Sequence, residues 1–262
     1  LIIYSINIAK EINKSTNQEM TDIAYYRRAL IFDVETTGLI PKKSAPLDTC
    51  PYVIQLSYIM YNMYDHVIES VYDAYINIPQ NIEISSKITE LTGVTREISN
   101  TGIPMYKALL DFYEAYSKCD CIIGHNIDFD SKMILFELER NRGELLEKHP
   151  KLGEMFQNRI DIKSPERFCT MMSSIDRCGI MVSAVDKSNK PYKYKKFPKL
   201  VETYECLFRS VPTNLHNSMM DCLVCLRCYL KIRHGIDVHE SKFRFWVEKY
   251  LDKPQKKSTD IL

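Results

Sequence analysis

The strongest constraint on the fold is a short run that is apolar and acidic at once. Ala29-Leu30-Ile31-Phe32 leads directly into Asp33-Val34-Glu35, and Thr36-Thr37-Gly38 closes it. An apolar run this short, bounded by a turn, predicts a buried strand over 26–34. Residues two apart on a strand project from one face, so Asp33 and Glu35 meet at the strand's C-terminal end. Two carboxylates that close repel each other, which raises a pKa. Either water solvates them at an open strand end, or a hard divalent cation such as Mg2+ or Mn2+ holds them together. Sheets of α/β proteins place ligands at this end of their strands. The pair alone leaves both readings open.

The remaining elements are those of an α/β domain. Residues 52–78 hold two β-rich runs joined by the polar "NMYDH", a predicted hairpin. Residues 85–93 predict a short helix with Gly93 as its C-cap, and 104–119 a helix that Pro104 opens. Residues 119–126 read as another short strand, followed by an amphipathic helix over 128–143 that Gly143 closes. From 144 to 200 the pattern loosens, with a helix expected near 144–158. Two further helices are expected at 197–208 and 218–235. A polar lead-in over 1–25 and a C-terminal helical tail over 236–262, holding Trp246, flank this core.

Two more clusters carry chemistry. "GHNIDFD" (124–130) sits where a strand gives way to a helix. Asp130 falls in the first helical turn, where the helix dipole favours an anion. Helix capping accounts for the same pattern, with Asn126 or Asp128 as N-cap. "HNSMMD" (216–221) opens the later helix, and Ser218 and Asp221 fit a capping-box spacing. His216, just before that helix, is expected to be an exposed loop residue able to titrate.

In order and spacing, "DVETTG", "HNIDFD" and "HNSMMD" resemble the three motifs of the DEDDh exonucleases, D-x-E-T-T-G, H-N-x-x-F-D and H-x-x-x-x-D. "LTGVT" (91–95) resembles the turn between the first two motifs, and "PKLVETYECLF" the helix before the third. The resemblance runs from about residue 27 to about 233. It implies an α/β, RNase H-like fold over 26–235: a mixed five-stranded central sheet, its first three strands antiparallel, flanked by helices. It implies a 3′–5′ exonuclease of DNA or RNA that releases nucleoside 5′-monophosphates. By the same resemblance Asp33, Glu35, Asp130 and Asp221 would hold two divalent metal ions, Mg2+ or Mn2+, and His216 would be the general base. Thr36, Leu39, Asn126 and Phe129 match positions at the terminal nucleotide, whereas Asp128 falls outside the motif register. The implied partner is a nucleic acid with a free 3′ end, single-stranded by preference. A homodimer, or a polymerase or repair partner, stays open. The competing reading is a catalytically weak nucleic-acid-binding or proofreading module of a larger assembly; its signature would be a missing acid or histidine, and all five are present.

Whole-chain charge does not decide on a nucleic-acid partner, because the formal net charge is only +1. Local charge does more. "KSNKPYKYKKFPK" (187–199) interleaves lysines with Tyr192, Tyr194 and Phe197. As an expected loop it suits phosphates and unpaired bases, and equally suits plain solvation. The nine cysteines read as reduced thiols of an intracellular protein of cytoplasm or nucleus. Cys222, Cys225 and Cys228 lie at i, i+3, i+6 on one helix, a spacing for core packing rather than a zinc cage. The chain opens on Leu1, as a piece of a longer protein would, and has no signal-peptide pattern or membrane-length apolar run.

Overall fold

The strand expected around Asp33 is the centre of the molecule. A computed structural model describes residues 28–41, 45–157, 164–212 and 215–251. Strand β1 (Arg28–Thr36) pairs antiparallel with β2 (Val53–Asn62), which pairs antiparallel with β3 (Val67–Tyr75). On its other edge β1 pairs parallel with β4 (Cys121–Gly124), and β4 with β5 (Glu166–Cys169). The sheet order is therefore β3-β2-β1-β4-β5, the mixed five-stranded arrangement expected from the motifs. The lead-in over 1–25 and the last residues of the tail lie outside the described residues.

Alternation along β1 builds two cores. Leu30, Phe32 and Val34 face one side, with Ala108, Leu109 and Phe112 of α3 (Met105–Tyr116) and Met133 and Ile134 of α4 (Ile127–Arg140). Two short helices, α1 (Ser86–Thr92) and α2 (Arg96–Asn100), precede α3. Ala29 and Ile31 face the other side, against the later helices. By the same period Asp33 and Glu35 also lie on that second side.

The helix 128–143 ends sooner than expected. Asn141 stops α4, its backbone N–H and its side-chain Nδ2 both donating to the Glu137 carbonyl, and Gly143 lies inside the next helix, α5 (Arg142–Lys148). Pro150 then interrupts the helix expected to 158, leaving a single 3-10 turn at Pro150–Glu154. The loose segment 144–200 holds more structure than its pattern showed. Beside β5 it carries α6 (Thr170–Cys178) and a two-stranded hairpin, β6 (Met181–Val185) with β7 (Pro191–Lys195). The basic run is thus largely a hairpin rather than a loop.

Helix α7 (Leu200–Phe208) leads to α8 (Ser218–His234), which is buried along nearly its whole first half. A helix apolar all round belongs between layers, and α8 lies between the sheet, α7 and α9 (Glu240–Leu251). Cys222, Cys225 and Cys228 are buried in that packing, and the Cys222 thiol donates to the Ser57 carbonyl. Arg227 bonds the Tyr204 hydroxyl, pairs with Glu240 at 2.7 Å and stacks over Phe208 and Phe243. With Trp246 buried beside them, these contacts dock α9 onto the same core. Among the described residues no helix is long and apolar enough to cross a membrane.

Candidate active site

The parallel ladder between β1 and β4 stops at Ile31–Ile123. Beyond it, among the described residues, β1 has no strand on that edge, and other elements bond its backbone. The Val34 N–H donates to Asp130 Oδ1 at 3.2 Å, which brings the first turn of α4 over the strand end. The Ser218 hydroxyl donates to the Asp33 carbonyl at 2.7 Å, which brings in the start of α8. The register of β1 against β2 slips between Glu35 and Thr36, and such bulges re-aim side chains.

Asp33, Glu35 and Asp221 meet there, each offering a carboxylate oxygen within 4.8 Å of the others. Asp130 is fully buried next to them. Burial pushes the Asp33 carboxyl up to about 7, against a smaller opposing effect of the Ser218 hydroxyl. Burial, and then the charges of Asp33, Asp221 and Asp130, push Glu35 up to about 9. Asp130 and Asp221 are raised as well, mainly by burial. Among the described residues none of the four pairs with a lysine, arginine or histidine. Asp221 Oδ2 accepts the His216 backbone N–H at 3.3 Å, but its buried Oδ1 has no partner among the described residues. Orphaned carboxylate oxygen, crowded acids and an oxygen-only donor set together suit hard divalent cations.

The capping readings resolve differently. Asn217, not Ser218, caps α8, accepting the Met220 N–H through Oδ1, so Ser218 is free to hold β1. Asn126 occupies the N-cap position of α4 without a side-chain bond. Asn126 and His216 both adopt left-handed backbone, φ 68° and 69°, just before the helices that carry Asp130 and Asp221. Asp128 points away, exposed and paired with Arg167 at 2.8 Å.

The other expected site residues adjoin these acids in the chain. His216 is exposed at the mouth of the cluster. The Thr36 hydroxyl donates to the Gly38 carbonyl at 2.7 Å, and the Thr37 and Tyr52 backbones bond each other's residue at 2.9 Å, so the "TTG" turn is tightly held. Leu39 follows it, 85 % exposed, and Asn126 is exposed too. Phe129 is half-buried against the first core.

Two positioning groups were not singled out from the sequence. His125 bridges from the start of "HNIDFD": Nε2 donates to the Pro198 carbonyl at 3.0 Å, and Nδ1 accepts from the Thr170 hydroxyl at 3.0 Å. Burial lowers its pKa to about 4 and keeps it neutral. Its place as the first letter of the second motif was the available signal. Glu137 is the other. Buried two helical turns beyond Asp130, it accepts the Val53 N–H at 2.9 Å and pairs with Arg140 at 2.7 Å. Arg140 in turn binds the carbonyls of Leu47, Cys50 and Pro51 and stacks on Tyr52.

Comparison with known proteins bears on this geometry. A profile of the RNase T exonuclease family matches residues 30–229. No match was found among curated protein sequences. Among solved structures, Escherichia coli exonuclease I bound to a dA16 oligonucleotide is similar at TM-score 0.52 and 15% identity, over 85% of this chain and 43% of that one. The nuclease domain of 3′hExo, a DEDDh family member bound to rAMP, is similar at TM-score 0.55 and 16% identity, over 82% of this chain and 96% of that one. Exonuclease I of Methylocaldum szegediense is similar at TM-score 0.53 and 17% identity, over 83% of this chain and 42% of that one. The chain thus spans less than half the length of the two exonuclease I proteins and nearly all of the isolated nuclease domain. It belongs to the RNase T exonuclease family, and its fold is the RNase H-like one of these nucleases.

Proposed function

We propose that the chain is a divalent-metal-dependent 3′–5′ exonuclease whose working residues are Asp33, Glu35, Asp130, Asp221 and His216. The observation that carries this reading is the convergence of four acids from three elements, unpaired by any cation among the described residues, with one buried oxygen left over. Asp33, Glu35, Asp130 and Asp221 would hold Mg2+ or Mn2+, which when bound supplies charge stabilisation for the attacking and departing oxygens of the phosphodiester. His216, exposed at the mouth, takes the proton of the attacking water as the base. The held Thr36 turn, with Leu39 and Asn126 exposed and Phe129 beside them, receives the terminal nucleotide. Water adds at phosphorus and the 3′-oxygen of the preceding nucleotide leaves. The products are a nucleoside 5′-monophosphate and a strand shorter by one, with a new 3′-hydroxyl.

Structurally similar nucleases were solved with a DNA oligonucleotide and with an RNA mononucleotide, so both chemistries are substrates to test. The experiment incubates 5′-labelled single-stranded DNA and RNA of one sequence with the protein and Mn2+ or Mg2+. A ladder shortening from the 3′ end, abolished by EDTA, is the expected result. Internal cuts would point to an endonuclease, and binding without cleavage with either metal would point to a binding module.

A further inference from the structure

The β6–β7 hairpin has no task in the chemistry above, yet it is built with care. Its turn is fixed by Asp186, whose carboxylate accepts the N–H groups of Ser188 and Lys190. Its base is closed by the Lys196 N–H on the Ile180 carbonyl. Two ion pairs hold it to the body, Lys195 to Asp176 of α6 at 2.6 Å and Lys196 to Glu202 of α7 at 2.5 Å. Just past the base, Pro198 is buried, and its carbonyl takes the His125 bond. The chain just past the hairpin's base is therefore bonded to His125, the first residue of "HNIDFD". Five residues per strand give it a reach of about 16 Å.

The two faces of this ribbon differ. Directly opposed residues share a face. Val182 opposes Tyr194 and Ala184 opposes Tyr192, so one face is apolar and aromatic. The two tyrosine rings are stacked with centroids 5.7 Å apart and planes inclined by 30°, each about half exposed, at 49% and 46%. Such a pair is a platform, not a core. Met181 opposes Lys195 and Ser183 opposes Lys193 on the other face. Residues 187–199 hold six lysines and no acid. Lys187, Lys190, Lys193 and Lys199 are exposed and make no ion pair among the described residues. Two exposed, stacked rings on an arm that also carries unpaired cations complement one class of partner: unpaired bases on a phosphate backbone.

We propose that the β6–β7 hairpin is a single-strand binding arm, which stacks bases of the substrate upstream of its 3′ end on Tyr192 and Tyr194 while the neighbouring lysines neutralise phosphates. It rests on the exonuclease reading for the word substrate only. Binding itself can be tested apart from cleavage. The probe is a fluorescent single-stranded dT15, measured by anisotropy with EDTA present, against wild type, the Tyr192→Ala/Tyr194→Ala double variant and its Phe/Phe counterpart. Stacking contributes about 1–3 kcal/mol per base, so the Ala variant should bind about a hundredfold more weakly, while Phe/Phe stays within about threefold of wild type. A blunt duplex should be bound alike by all three. Replacing Lys187, Lys190 and Lys193 with Gln should flatten the salt dependence of dT15 binding by about two units of slope.

With Mn2+, KM for a 15-mer should rise in the Ala variant, while cleavage of a dinucleotide stays unchanged. Wild type that binds dT15 through the arm but cleaves nothing would overturn the exonuclease reading and leave the arm standing. Unchanged dT15 affinity in the Ala variant would overturn the arm, as would equal losses on single strand and duplex. A change of oligomeric state with oligonucleotide affinity intact would assign the hairpin to contact between copies of the chain, and would overturn it too.

Discussion

Glu35→Gln should make the metal-free protein more stable, and by an amount that grows with pH. Glu35 has a carboxyl raised from 4.5 to about 9, first by burial and then by Asp33, Asp221 and Asp130. Its folded pKa lies above its unfolded one, so the folded state binds the proton more tightly. The stability this gives is full below about pH 4.5 and is lost as pH rises toward 9. At about pH 8 the unfolded chain holds Glu35 ionised while the folded one keeps it protonated, which costs on the order of 5 kcal/mol at about 1.4 kcal/mol per unit. At about pH 5 the same cost falls below about 1 kcal/mol. Glutamine fills the place without titrating. Urea denaturation in EDTA at both pH values, for wild type and variant, measures the gap directly. The variant should be several kcal/mol more stable near pH 8 and nearly level near pH 5. Saturating Mn2+ at about pH 8 should close the gap by stabilising wild type, since a ligand that binds only the folded state adds to its stability. A gap independent of pH, or a variant less stable at pH 8, would refute the reasoning.

Asp130→Asn should lower turnover of a labelled oligonucleotide by at least about a hundredfold, because it removes a carboxylate that would hold the charge-stabilising cation. Asp128→Asn should leave it within about threefold, because Asp128 is exposed and its pairing with Arg167 is a surface ion pair; equal losses would displace Asp130 from the site. His216→Ala should reduce kcat by a factor of about a hundred to ten thousand. The same variant should keep the Mn2+-induced rise in Tm, since the acids are untouched, and losing that rise would place His216 among the metal ligands. Arg140→Leu should destabilise by about 3–5 kcal/mol in thermal unfolding, because it leaves Glu137 charged and buried with only the Val53 N–H. It should also raise KM, through Tyr52 and the Thr37 turn that Tyr52 holds.

Much of this architecture was legible because it rests on local pattern. The apolar runs of β1, β2 and β4 are buried from both sides and stand out in any reading. Gly93 and Pro104 mark their helix ends by backbone chemistry that only those residues offer. The fifth strand did not stand out, because Glu166–Cys169 is four residues long and half-exposed, and only its pairing with β4 makes it a strand. The hairpin was hidden for a related reason. Lysine at alternate positions of Pro191–Lys195 is the signature of a solvated segment, and neither face of this ribbon is buried to supply the usual contrast. Among the site residues the acids were legible by spacing. Ser218 was misread as the cap because its spacing to Asp221 fits one, and the bond that overrides it runs to Asp33, 185 residues away. Long-range bonds of this kind leave no periodic trace.

The active-site end of the sheet is where the fold gives up stability, and it does so in three ways at once. β1 extends past its parallel partner, so its Val34 N–H is held by the Asp130 carboxylate instead of by a neighbouring strand. Asn126 and His216 take left-handed backbone, which costs an L-residue roughly 1–2 kcal/mol. Four acids share one corner, Asp130 buried and Asp33, Glu35 and Asp221 half-buried. Each feature would be selected against as a packing solution, since ordinary cores avoid uncompensated charge. All three act on the same few side chains: the open edge admits α4, the left-handed turns precede α4 and α8, and these helices deliver Asp130 and Asp221. Strain that converges this way is the mark of a site whose geometry is set by what it binds. Charge neutralisation by a cation would then remove the largest of the three costs, which ties the stability of this corner to its occupancy.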